Sequence, residues 1–228
     1  ASLDAAQLEL LMAPALRRNR GLIARALSFG RAPVPEWLRD QRADGSVAVE
    51  NLQVAGVELH QFRARTIWNG ATLVLADITG GLNNGAVTGT LSADLRGAEP
   101  VYHLASNMKG VEWSGGTFDA ETSLDTSGTG AALLSNLRSE GSFTGQSFDE
   151  EPLDQFTSIS GCYMLEWAKP VPHLRFTQLQ MATEGELFLG RGAMQDDGRL
   201  LIQVSNGTRQ LSVTGTLAQL RLDEAANQ

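Results

Sequence analysis

The sequence contains one cysteine, Cys162. No disulfide can form within the chain, and a cysteine-rich zinc site or a disulfide-dense secreted scaffold is excluded. No apolar run approaches the ~20 residues that cross a bilayer as a helix, and no secretory signal is visible. The first residues, Ala1-Ser2-Leu3-Asp4, carry no Met and read as the start of a piece cut from a longer protein, with any anchor or export signal upstream. Aromatic residues make up only 6% of the chain, so the core must be mostly aliphatic. Basic residues are also scarce: 18 Lys and Arg stand against 26 Asp and Glu, for a net charge of -8. Nucleic-acid binding by the main body is therefore not expected, because phosphate neutralisation needs clustered cations. The one basic cluster is Arg17, Arg18, Arg20, Arg25 and Arg31.

Motifs of chemistry are missing as well. Gly145-Gln146-Ser147-Phe148-Asp149 lacks the closing glycine of a hydrolase elbow. Gly128-Thr129-Gly130 lacks the third glycine and the βαβ unit of a dinucleotide site. His60, His103 and His173 share no ligand spacing. Asp196-Asp197-Gly198 lacks the spaced acidic pattern of a calcium loop. Asn206-Gly207-Thr208 matches a glycosylation sequon, but a hairpin turn accounts for it. Cys162 has no basic neighbour in sequence to activate it. Asp119 and Glu121 share a strand face and form the best carboxylate pair for an enzyme; a solvated strand face explains them at least as well. The expectation is a non-catalytic chain that needs no cofactor and no metal.

What the sequence does contain is two kinds of periodicity. Over residues 1–43, Leu8, Leu11, Met12, Ala15, Leu16, Leu22, Ile23, Ala26 and Leu27 recur at 3, 4 and 7 spacing, which is one helix face. Ser2 is a suitable cap, and Pro14 marks a kink or a new start. The arginines fall on the other side, and Arg17, Arg18, Arg20 and Arg25 are candidates for contact with a membrane surface. Over residues 44–228 the period becomes two. Val87, Gly89, Leu91, Ala93 and Leu95 face one way, and Thr88, Thr90, Ser92 and Asp94 the other. Asn69-Gly70, Asn84-Gly85, Asp197-Gly198 and Asn206-Gly207 supply hairpin turns. Gln210–Leu222 reads as one strand, Ala131–Leu137 as a short helix, and Asp149–Phe156 as a turn or second short helix.

The predicted fold is mainly β: a long, curled antiparallel sheet, forming an open groove or partial barrel, with a helical N-terminal segment and one or two short internal helices. The helices are too few to cover one face of so wide a sheet. Either that face is filled by the protein itself, or it forms an apolar trough. The candidate trough positions are Val87, Leu91, Leu95, Leu104, Phe118, Leu124, Leu174, Phe176, Leu200, Ile202, Val204, Leu211 and Val213.

The order of several short motifs resembles the C-terminal region of AsmA-type proteins. These are Val34-Pro35-Glu36-Trp37-Leu38, the run from Gly85 through Gly97, Ser127-Gly128-Thr129-Gly130 followed by Leu133 through Gly141, and Gly192 through Leu200 followed by Leu211 through Leu217. The resemblance implies a module of a large envelope protein of bacteria with two membranes, similar to bridge-like lipid transfer proteins. It implies a periplasmic location, an inner-membrane anchor upstream, a phospholipid or other acyl-chain ligand, contacts with upstream segments of the parent protein, and a part in outer-membrane biogenesis. It offers no catalytic residues. The competing expectation is a structural or protein-interaction β module with a self-filled core.

Overall fold

The computed structural model describes residues 2–4, 41–54, 57–129, 131–168, 171–216 and 219–225. The strands are β1 (Ser2–Asp4), β2 (Arg42–Val54), β3 (Val57–Asn69), β4 (Thr72–Leu82), β5 (Gly85–Asp94), β6 (Val101–Trp113) and β7 (Gly116–Ser127). After a five-residue helix α1 (Ala131–Ser135) come β8 (Arg138–Gln146), β9 (Ser158–Ala168), β10 (Val171–Ala182), β11 (Leu187–Met194), β12 (Leu200–Ser205), β13 (Gln210–Thr216) and β14 (Gln219–Ala225). Among the described residues each strand is bonded to its neighbours in sequence, from β1 at one edge to β14 at the other, and the order does not close on itself. β1 runs parallel to β2; the rest is an antiparallel meander.

The mainly β expectation is met. β2 begins at Arg42, two residues ahead of the expected boundary. Most of the predicted helical segment 1–43, including its apolar face from Leu8 to Leu27, lies outside the described residues, and Ser2 lies in β1. Asp149–Phe156 is a turn and not a helix, so α1 is the one internal helix among the described residues. The stretch Gln210–Leu222 is divided between β13 and β14.

Turn chemistry explains the hairpins. Asn83 (φ +42°) and Asn84 (φ +63°) form a two-residue turn between the paired Leu82 and Gly85, and Asn tolerates this left-handed conformation. Ser114 (φ +48°) and Gly115 (φ +74°) do the same between β6 and β7. In the β12–β13 turn the Asn206 Oδ1 accepts the N–H groups of Thr208 (3.0 Å) and Arg209 (2.8 Å).

The chain divides into two compact units, Ala1–Ser106 with Asp125–Asn136, and Asn107–Leu124 with Leu137–Gln228. In the first, buried Ala93 and Leu95 pack with Trp68, Ala71, Leu73 and Tyr102. The second has a larger cluster: Phe156, Leu179, Met181, Phe188, Val204, Leu211 and Val213, each at most 3% exposed.

Several long strands change phase partway. In β3 the inward positions are Phe62 and Ala64 after Gln61 (φ +51°), where the pairing with β4 slips. In β4 the slip falls between Leu75 and Ile78, at Asp77 (φ +52°). In β10 inward positions pass from Leu174 and Phe176 to Leu179 and Met181 across Gln178 (φ +52°), where the pairing slips against both neighbours. These are β-bulges: one extra residue bends the strand and swaps which side chains face inward. β6 changes phase at Gly110 (φ +62°), from Met108 to buried Val111.

Candidate functional site

The second unit contains an apolar cavity of about 380 Å³. Met108 of β6 and Leu220 of β14 both line it. In a flat sheet those strands would stand about 38 Å apart, eight spacings of ~4.8 Å. The sheet of this unit is therefore rolled around the cavity, and the bulge in β10 supplies part of the bend. Its volume lies within the ~300–1,000 Å³ typical of small-ligand sites.

Aromatic rings form one wall. Trp113 meets Phe118 edge-on at 5.6 Å, Phe118 stacks on Phe143 at 5.5 Å, and Phe143 meets Phe176 edge-on at 5.9 Å. Such pairs add about 0.5–1.5 kcal/mol each beyond area burial. They fit because β8 offers glycine on either side of its one large inward residue, Phe143. A Cβ at Gly145 would stand 2.6 Å from both the Phe118 and Phe148 rings, and one at Gly141 would stand 2.9 Å from the Tyr163 ring. Phe118, Phe143, Tyr163, Leu174, Phe176 and Ile202 are only half-buried and Trp113 is exposed, so the cavity is a trough open to solvent along part of its length.

Of the candidate trough positions, Phe118, Leu174, Phe176, Leu200, Ile202 and Val213 line the cavity. Val204 and Leu211 are buried in the tight cluster beside it. Leu124 belongs to the same unit, is half-buried, and is not part of the wall. Val87, Leu91 and Leu104, half-buried, and Leu95, buried, belong to the first unit. Arg17, Arg18, Arg20 and Arg25 lie outside the described residues.

Sequence reasoning missed the other wall residues, Phe143, Ile159 and Tyr163 among them, and for two sets of these the structure gives the reason. Leu179, Met181 and Trp113 lie beyond phase changes, and an unbroken alternation puts Leu179 and Met181 on the polar face. Phe148 and Leu153 come from the β8–β9 connection, which has no periodicity. Its apolar spacing, Phe148, Leu153 and Phe156, was the available signal.

The polar groups have structural partners. Asp119 and Glu121 alternate with the wall residues Phe118, Ala120 and Thr122 and so point away from the trough. The Asp119 carboxylate accepts the Gly110 N–H (2.7 Å) and the Lys109 ammonium (3.1 Å). Both hold its pKa below the usual carboxylate range, the Gly110 N–H foremost. A general acid needs the opposite shift. Glu121 accepts from the Asn107 amide at 3.3 Å. His60 pairs with Asn51 and His103 with Asp125, each at 2.9 Å. Cys162 Sγ lies 3.6 Å from the Gln178 Oε1. Among the described residues no three His, Cys, Asp or Glu converge as a metal site, and no helix is long and apolar enough to cross a membrane.

No protein-family model, curated protein or solved structure matches the chain.

Proposed function

We propose that this chain is a non-catalytic envelope-biogenesis module, an AsmA-like C-terminal domain whose trough holds an acyl chain of a phospholipid passing between membranes during outer-membrane assembly. In this reading it lies in the periplasm, within a protein anchored in the inner membrane by an upstream segment, and it contacts the other segments of that protein. Its arginine-bearing N-terminal residues face a membrane surface. The observation that carries the reading is the cavity of the second unit: its wall holds no charged residue, and several of its large apolar side chains, Phe118, Phe143, Leu174, Phe176 and Ile202 among them, are partly exposed. Leaving such surface exposed costs about 25 cal/mol per Å², a cost that an acyl chain removes. The motif order of the sequence supports the same family of function.

A self-filled interaction module is the second reading. It is favoured by the tight cluster around Phe188, which is 0% exposed and leaves no room for a ligand at that spot.

Leu174 separates the two. It is half-buried on the trough wall. Leu174→Glu in the full chain is expected to leave the urea midpoint nearly unchanged while reducing acyl lipid copurifying with the protein, measured by mass spectrometry of extracts, at least tenfold. If no lipid copurifies with the parent chain and the variant loses roughly 3–5 kcal/mol, as for an unpaired buried charge, the self-filled module is the correct reading.

A further inference from the structure

The trough has two unlike ends. At one, the β8–β9 connection, residues 147–157, crosses from β8 to β9 and puts two apolar side chains into the wall, as a stopper would. Within this connection the Leu153 N–H donates to the Glu150 carbonyl (2.9 Å) and the Phe156 N–H to the Leu153 carbonyl (2.9 Å), and the Thr157 N–H ties it to the Ala182 carbonyl at the end of β10 (2.8 Å). Phe148, Leu153 and Phe156 are 6%, 5% and 2% exposed. The first two belong to the cavity wall, and Phe156 sits in the cluster beside it.

Toward the other end stands a group of hydroxyls. The Tyr163 hydroxyl donates to Thr122 Oγ1 (2.9 Å) and lies 3.2 Å from Ser139 Oγ. Ser139 is 7% exposed, a buried polar residue in an otherwise apolar region. Along β9, Ile159 marks the stoppered end and Tyr163 stands four residues on, about 13 Å of strand. The wall between is apolar.

Resting on the acyl-chain reading above, we infer that the trough is a blind pocket for one ester-linked acyl chain of a glycerolipid whose headgroup stays outside, with its methyl end against Phe148 and Leu153 and its ester carbonyl at the Tyr163 hydroxyl. Three observations converge on this. The β8–β9 connection puts the buried Phe148 and Leu153 into the wall, where they would stop a chain entering from the far side. No wall residue is cationic, so an ionised carboxylate entering the trough would lose water without gaining a counter-charge. An ester carbonyl needs only one donor. Tyr163 has one proton and two acceptor positions, as do Thr122 and Ser139. When Tyr163 turns its proton to the ligand, Thr122 can donate to the phenolic oxygen in return, and no hydroxyl is left without a partner.

The test uses the full chain and saturated monoacylglycerols from C10 to C20, with the matching fatty acids at pH 8, each competing against a fluorescent acyl probe. For the parent chain, affinity is expected to rise with chain length, then stop rising at one length, with each fatty acid at least tenfold weaker than its ester. Leu153→Ala, which shortens the stopper, should move the break to longer chains, and Phe148→Leu serves if that variant does not fold. Tyr163→Phe should weaken every ester about 3–10-fold, the worth of one hydrogen bond, and leave the break in place. Affinity that rises through C20 without a break in the parent chain overturns the blind pocket while leaving the acyl reading intact. Wild-type ester affinity in Tyr163→Phe, or fatty acids binding as well as esters, overturns the placement of the ester carbonyl. If no chain of any length binds, the acyl reading itself fails.

Discussion

At the scale of single residues, some side chains only hold the fold, while Leu179, Met181 and Val213 both fill the buried cluster and line the trough. Phe188 is fully enclosed, with the Arg209 guanidinium 5.7 Å from its ring centre and Val204 and Val213 in the same cluster. Phe188→Ala is expected to cost about 3–5 kcal/mol in urea unfolding. Charge acts differently. Asp119 is held below the ordinary carboxylate range by the Gly110 N–H and Lys109, groups nine and ten residues away that the unfolded chain does not keep beside it. A lowered folded pKa gives stability that is fully present above the unfolded value of 3.8 and disappears as pH falls through the folded one. Asp94, held at about 2, differs because its partner Arg96 is two residues away and can stay paired after unfolding. The urea midpoint of the parent chain should therefore be flat from pH 7 to pH 5 and fall below pH 4. Asp119→Asn should flatten that fall, whereas Asp94→Asn should change it little.

At the scale of elements, the bulges decide what each long strand contributes. Gln178 separates Leu174 and Phe176 from Leu179 and Met181, and all four line the trough because of it. Deleting Gln178 restores simple alternation and turns one pair outward. If that pair is Leu179 and Met181, each 2% exposed, roughly 3–6 kcal/mol of burial is lost. Gln178→Gly keeps the extra residue and suits its φ of +52°, so its unfolding midpoint should equal or exceed that of the parent chain. A deletion variant as stable as the parent would show that the bulge does not set the wall. The same elements show how much could be read in advance. Period-two alternation and Asn-Gly turns gave β5, with Val87 through Leu95 on one face, and the Asn83-Asn84 turn before it. Six wall residues were legible because they sit in uninterrupted alternation. Leu179 and Met181 were not, because a left-handed Gln leaves no local mark in composition. Phe148, Leu153 and Phe156 were not, because a connection buried by tertiary contact carries no period.

For the molecule as a whole, stability should be uneven. The cluster of the second unit draws on β10 through β13, whereas in the first unit the buried cluster is Ala93 and Leu95. Amide exchange is expected to be slowest in β11 through β13, near Phe188, Val204 and Val213, and faster in β2 through β5; equal protection in the two units would contradict this. The order of the sheet has a further consequence. From β2 onward each described strand pairs only with its immediate predecessor and successor, so a newly made segment finds its partner already in place; only β1 must await a distant stretch, the far end of β2. The hairpin is then the natural unit of growth and of inheritance. Duplicating or losing one changes the reach of the sheet and leaves every other pairing as it was, which gives a lineage a simple way to adjust how much greasy surface it can shelter.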